Sequence, residues 1–148
     1  MISKILVPTD GSEAAQKAAE YAVYLAKQLR ASVVALSVVD KRLFPQVIPA
    51  SDTPTHVPEP IEDYLREAAA GYAKEIKELC EKNDIQSEIV IATGHPVEEI
   101  IKEAEILKVS LIIMGSHGRS ALEAVVVGSV TYGVIHKDTR IPIMVVKR

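Results

Sequence analysis

Glycine and serine residues toward the end of the chain stand at spacings that suit the binding of an anion. Gly115 and Gly118 follow the apolar run 110–114, and nine residues separate Gly118 from the pair Gly128 and Ser129. Glycine lets backbone N–H groups approach a ligand without an intervening Cβ. A helix that begins at Ser129 would add unpaired N–H donors and the positive end of its dipole. The spacing therefore predicts a phosphate or nucleotide site.

Alternating strands and helices are predicted around these residues. Near-continuous apolar runs are typical of parallel strands covered on both faces, and apolar residues at helical spacing indicate helices that pack on the sheet. We predict strands over 2–7, 32–39, 88–92, 110–114 and 141–146, and helices over 14–30, 61–82, 97–107 and 129–135. This order predicts one α/β domain over residues 1–148, built on a parallel, doubly wound sheet.

Two proline-containing segments interrupt the pattern. Residues 44–60 hold five prolines, which exclude a regular helix or a central strand and predict a long surface loop. Residues 93–96 are predicted as a turn, with Pro96 at the first position of the next helix.

The first strand is followed by a second polar segment, which contains Thr9, Asp10 and Ser12. Asp10 or Ser12 can cap the helix that follows. Ligands of doubly wound sheets bind beyond the carboxyl ends of the strands, where the strand order reverses. If strands one and four are neighbours, this segment and the glycine segment converge on one crevice.

Composition excludes several classes of function. With 148 residues, 48% apolar and 25% charged, the chain is long enough for one well-packed domain. A net charge of −3 argues against a nucleic-acid surface, and no apolar run is long enough to cross a bilayer. The N-terminus lacks the plan of a signal peptide, and the single cysteine, Cys80, cannot form an internal disulfide. We therefore expect a reduced, cytoplasmic setting.

Few side chains are candidates for catalysis. His117 is more simply a loop or ribose contact than an acid–base group. Arg119 is equally well explained as a phosphate contact or as a solvated cation. Cys80 is better explained as a packed core residue than as a catalytic one. The remaining histidines are scattered, which argues against a metal cluster. Because no Gly-x-x-x-x-Gly-Lys-Ser/Thr loop is present, we expect binding with little turnover and no catalytic residue.

With these residues in view, the chain resembles the universal stress protein family, in its ATP-binding branch. The nucleotide motif of that family is Gly, two residues, Gly, nine residues, Gly, then Ser or Thr, which matches Gly115, Gly118, Gly128 and Ser129. The opening segment 4–12, the segment 94–96 and the closing segment 142–146 are also similar to the family's. The resemblance covers nearly the whole chain except the proline-rich loop and the helix after it.

The resemblance implies a three-layer fold of the adenine nucleotide α-hydrolase-like type, with strand order 3-2-1-4-5. It implies ATP as the ligand, with Mg²⁺ or Mn²⁺ held mainly on the phosphates and Asp10 as a possible contact. It also implies a homodimer through the strand that runs from Ile141 to Val146. The matching nucleotide-binding positions are Pro8, Thr9, Asp10, Val38, Met114, Gly115, Ser116, His117, Gly118, Arg119, Ser120, Gly128, Ser129, Val130 and Thr131.

Two functions remain open at this stage. The first is a nucleotide-dependent regulatory or stress-response switch that acts on an unknown protein partner. The second is a slow ATPase or phosphotransferase that uses the same site, supported by the expected proximity of Asp10, His117 and Arg119 to the phosphates.

Overall fold

A five-stranded sheet forms the centre of the computed structural model, which describes residues 1–43, 59–118 and 127–147. Its strands are β1 (Lys4–Pro8), β2 (Ser32–Asp40), β3 (Ser87–Gly94), β4 (Leu111–Gly115) and β5 (Ile143–Val146). Every strand pairing is parallel, and the order is β3-β2-β1-β4-β5. The predicted order 3-2-1-4-5 is confirmed, so the strand order reverses between β1 and β4.

Four α-helices cover the two faces of the sheet: α1 (Glu13–Leu29), α2 (Glu59–Lys82), α3 (Pro96–Ile106) and α4 (Ser129–Ile135). The first core cluster packs α1 and α2 on one face, with Ala22 and Ile76 among its members. The second core cluster packs α3 and α4 on the other face, with Ile100 and Val134 among its members. Both faces are therefore buried, as the continuous apolar strands predict.

Small residues allow the layers to approach closely. The buried face of α1 is largely alanine, which lets this helix lie near the sheet. On the other face, a Cβ built on Gly133 would lie 2.6 Å from Val97 Cγ2, so α4 packs on α3 through a glycine.

Cys80 is completely buried in the first core cluster, and this burial raises the pKa of its thiol. The packing role expected for Cys80 agrees with this position.

Several predicted boundaries were wrong. The helix α2 begins at Glu59, so the last two residues of the predicted loop 44–60 are helical. Proline is tolerated in a first helical turn, where its missing N–H has no intrahelical partner. Residues 93 and 94, predicted in a turn, extend β3 because they pair with Val39 and Asp40 of β2. The strand β5 begins at Ile143, two residues later than predicted. The rest of the predicted loop lies outside the described residues.

Within the described ranges, no helix is both long and apolar enough to cross a membrane.

Candidate functional site

The crevice predicted at the carboxyl ends of β1 and β4 is present. These two strands are neighbours, and the loops that follow them lead to α1 and α4 on opposite faces of the sheet. A Cβ built on Gly118 would lie 2.8 Å from Asp10 Oδ2. The carboxylate after β1 and the glycine loop after β4 therefore meet directly. They meet where the strand order reverses, which is where doubly wound sheets bind their ligands.

Side-chain hydrogen bonds shape the turn between β1 and α1. Asp10 Oδ1 accepts the Ser12 N–H at 3.0 Å, and Thr9 Oγ1 accepts the Gly11 N–H at 3.1 Å. Gly11 has a φ of 78°, a conformation that favours glycine. Ser12 Oγ accepts the Ala15 N–H at 3.1 Å and caps α1. The cap is thus Ser12, while Asp10 stabilises the preceding turn and directs Oδ2 toward Gly118.

A buried serine of β2 fastens the same turn to the sheet. The Thr9 N–H donates to Leu36 O at 2.8 Å, and Ser37 Oγ donates to Thr9 O at 3.1 Å. Ser37 is only 2% exposed. Sequence analysis missed this residue, although a serine within the otherwise apolar β2 run was its visible signal.

The residues expected on the adenine side lie along the ends of β1 and β2. Pro8 ends β1 and pairs with Leu36. Val38 pairs with Ala92 of β3 and is half-buried against the second core cluster. Met114 is buried in the same cluster on β4.

Gly115 is required for packing of α1 on β4. A Cβ built on Gly115 would lie 2.7 Å from both the carbonyl carbon and the oxygen of Ala14. Backbone atoms cannot yield as a flexible side chain can. Gly115 therefore permits the first turn of α1 to reach the end of β4, which narrows the crevice on this side.

Gly128 closes the glycine loop. Its N–H donates to Ser116 O at 2.6 Å. A Cβ built on it would lie 3.3 Å from Gly118 N and from His117 Cα, and 3.4 Å from Ser116 O. Its φ of −71° is open to any residue, so close approach is what favours glycine here. The two halves of the glycine motif are thus in contact across the intervening residues.

The first residues of α4 differ in orientation. Ser129 is exposed and Val130 is half-buried. Thr131 is 3% exposed, and its Oγ1 donates to Gly115 O at 2.8 Å. The Thr131 hydroxyl therefore joins α4 to β4, and Ser129 presents the accessible hydroxyl of this turn.

Ser116 and His117 form a buried polar pair. Ser116 Oγ lies 2.6 Å from His117 Nδ1, and the two residues are 1% and 8% exposed.

A cavity of about 570 Å³ lies beside this pair, lined by Gly11, Ser12, Glu13, Ala14, Lys17, His117 and Gly118. Lys17 was not singled out from the sequence, because it reads as an ordinary solvated residue of α1. Arg119 and Ser120, both expected at the site, lie outside the described residues.

An ion pair lies at the end of β2. Arg42 donates to Asp40 from Nε and from its terminal nitrogen, the latter at 2.7 Å. Burial acts to raise the pKa of Asp40, but hydrogen bonds from the Arg42 side chain and backbone outweigh it. Together with the charges of Arg42 and His95, they hold the pKa of Asp40 below its ordinary value of 3.8. This pair stabilises the exit of β2.

Asp10 suits a magnesium ion carried by phosphates. Mg²⁺ usually takes one or two protein carboxylates and completes its shell with phosphate oxygens and water. Among the described residues there is no group of three or more His, Cys, Asp or Glu that would hold a metal unaided. The residues present therefore fit an ion that arrives with a nucleotide.

The sheet order, the two covered faces and the crevice define a doubly wound α/β protein with a crevice at its switch point. The chain matches the universal stress protein family over residues 1–147. It belongs to that family.

Relatives of known sequence match along the full chain. Universal stress protein MJ0577 of Methanocaldococcus jannaschii is 37% identical, over 100% of this chain and 96% of its own. Universal stress protein MJ0531 of the same organism is 35% identical, over 100% of this chain and 84% of its own.

Solved structures share the fold. The structure of MJ0577 superposes with a TM-score of 0.79 and 34% identity, over 100% of this chain and 97% of that one. A universal stress protein in complex with cAMP superposes with a TM-score of 0.67 over 97% of this chain and 96% of that one. The latter is 19% identical, so its likeness concerns the fold alone.

Proposed function

We propose that this protein binds ATP as a nucleotide-dependent regulatory switch, with little or no turnover. The observation that carries the proposal is the closure of the glycine motif around Asp10. Gly128 bonds to Ser116, and Gly118 lies against the Asp10 carboxylate, all at the switch point of the sheet. The fold also accommodates cAMP, an adenine nucleotide, in another protein that has it.

Each side of the crevice has a role in this proposal. The adenine lies toward Pro8, Thr9 and Val38, where backbone groups at the ends of β1 and β2 recognise it. The phosphates lie along the loop from Gly115 to Gly118 and reach the exposed Ser129 hydroxyl. Asp10 would contact a magnesium or manganese ion that arrives with the nucleotide, and the ion would offset part of the negative charge of the phosphates.

Low turnover is proposed because the polar side chains of the crevice already serve the fold. Asp10 Oδ1 accepts the Ser12 N–H, and His117 Nδ1 is bonded to Ser116 Oγ. Hydrolysis requires a positioned water and stabilisation of the developing charge. Occupancy rather than cleavage would then be the signal, read by a protein partner through a surface that changes on binding.

A slow phosphotransferase or ATPase is the second candidate. The 2.6 Å contact between Ser116 Oγ and His117 Nδ1 is the arrangement of a hydroxyl nucleophile and a base. Under this candidate, His117→Ala or Asp10→Asn lowers the steady-state release of ADP while ATP still binds. Unchanged release in both variants would rule it out.

Equilibrium titration with Mg-ATP tests the main proposal. Wild-type protein should bind ATP, and Gly128→Val should abolish binding, because the side chain enters the closure of the loop. Gly71→Val is the matched control, since a Cβ at Gly71 meets nothing within 4 Å. Absence of wild-type affinity at millimolar Mg-ATP would reject the proposal. A folded Gly128→Val protein that binds ATP normally would reject the role given to the glycine loop.

We further propose a homodimer through β5. This strand is an edge of the sheet. Pro142 O and Val146 O accept hydrogen bonds from the N–H of Ile112 in β4 and of Ser116, which follows β4, each at 3.0 Å. Because backbone groups alternate in direction along a strand, those of Ile143 and Val145 point away from β4. An apolar edge of this kind is ready to pair with a second copy.

A further inference from the structure

The cavity beside the crevice contains a charged group that the proposed ATP site does not use. Its walls are the first turns of α1 and the loop after β4, and its volume of about 570 Å³ is that of a site for a small ligand. Within the described ranges, Lys17 is the only lysine or arginine that lines this cavity. Its walls also include His117 and Gly118, so the cavity is continuous with the glycine loop.

The ammonium group of Lys17 reaches back to the first residue of α1. Lys17 is the fifth residue of α1, but helical side chains lean toward the helix N-terminus. Lys17 Nζ accordingly lies 3.7 Å from Oε1 of Glu13, the first residue of the helix. The positive charge is thus paired with the first turn of α1, which lines the same cavity as Gly118.

The pair formed with Glu13 is loose enough to exchange partners. The two side chains are 46% and 87% exposed, and ion pairs at such exposure are weak. Two backbone donors of the same turn, the Ala15 and Gln16 N–H groups, bond to Ser12 Oγ and Ser12 O. Among the described residues that line this cavity, Lys17 is the one that carries an ammonium group for an anion.

We propose that Lys17 binds the outer phosphates of the nucleotide and selects a nucleoside triphosphate over a monophosphate. The inference rests on the proposed function, because it places the outer phosphates in the cavity next to Gly118. The carboxylates of Asp10 and Glu13 both lie on this side of the crevice and would oppose the negative charge of the outer phosphates. An outer phosphate that displaces the Glu13 carboxylate from the Lys17 ammonium gains a charge-assisted contact. AMP has no outer phosphate and cannot make this contact.

Calorimetric titration of the full chain with Mg-ATP, Mg-ADP and AMP tests the inference. Lys17→Met should weaken ATP binding about tenfold and AMP binding by less than about twofold, as expected for the loss of one charged contact. Lys17→Arg should retain most of the affinity for ATP. Lys27→Met, in the last turn of the same helix, is the matched control and should bind both nucleotides as the wild type does.

The possible outcomes separate the two proposals. If wild-type protein binds no adenine nucleotide, the proposed function fails, and the role of Lys17 fails with it. If wild-type protein binds ATP and Lys17→Met keeps the same ratio of ATP to AMP affinity, only the role of Lys17 is wrong. An equal loss of affinity for ATP and for AMP would also contradict the role of Lys17, since it would assign this residue to the fold or to the inner part of the site.

Discussion

Gly115 and Gly128 are the first and the third glycine of one motif, and at the residue scale their surroundings differ. A Cβ at Gly115 would meet the Ala14 backbone at 2.7 Å, whereas at Gly128 the nearest atoms lie at 3.3 Å. Gly115 thus serves the packing of α1, and Gly128 serves the closure of the loop. Thr131 also contributes to structure, because its hydroxyl is directed to Gly115 O.

This difference predicts a stability effect at Gly115. Gly115→Ala should lower the free energy of unfolding by about 1–3 kcal/mol, the usual cost of overpacking against atoms that cannot yield. Gly71→Ala, in the exposed middle of α2, should raise it by about 0.5–1 kcal/mol through helix propensity. Urea denaturation of both variants measures the effects, and an unchanged Gly115→Ala midpoint would contradict the contact with Ala14.

At the scale of elements, the apolar patterns located every strand and every α-helix in the described ranges, but not the short 3-10 helix Lys41–Leu43, and the ends of the elements depended on neighbours. The strand β3 continues to Gly94 because β2 offers pairing partners as far as Asp40. The exit of β2 is in turn held by the hydrogen bonds between Asp40 and Arg42.

The Asp40–Arg42 pair predicts a pH-dependent contribution to stability. Because the folded pKa of Asp40 is below its ordinary value, its contribution is complete above that value and is lost as the pH falls through the folded pKa. Arg42→Met should lower the free energy of unfolding by about 1 kcal/mol or less at pH 7, as expected for an ion pair whose arginine is half-exposed.

The difference in the free energy of unfolding between Arg42→Met and the wild type should shrink as the pH falls below 3.8, the ordinary pKa of Asp40. Chemical denaturation at a series of pH values measures it, with Lys41→Met as the neighbouring control. A difference that persists undiminished after Asp40 is protonated would show that Arg42 acts by other means.

At the scale of the whole molecule, the sheet order brings together residues that are more than a hundred positions apart. Asp10 and Gly118 meet because β1 and β4 are neighbours. The same order leaves β3 and β5 at the two edges, and β5 is the edge next to the glycine loop. The proposed dimer would therefore join two copies at the sheet edge next to each glycine loop.

The outer edge of β5 predicts how that dimer can be broken. Val145→Pro removes an N–H that points away from β4, so it should block pairing with a second copy while the bonds of β5 to β4 remain. Sedimentation analysis should find a wild-type dimer and a folded Val145→Pro monomer. A wild-type monomer, or a variant that still dimerises, would contradict pairing through this edge.

The sequence by itself determined the class of fold and predicted where the candidate site lies. Continuous apolar strands, alanine-rich helical spacing and the glycine motif all depend on local pattern, and local pattern is what a chain shows directly. Only the tertiary structure decided which glycine packs and which closes the loop, that Ser37 holds Thr9, and that Lys17 lines the cavity. These roles arise from contacts between residues distant in the chain or from the direction of a side chain, neither of which spacing alone specifies.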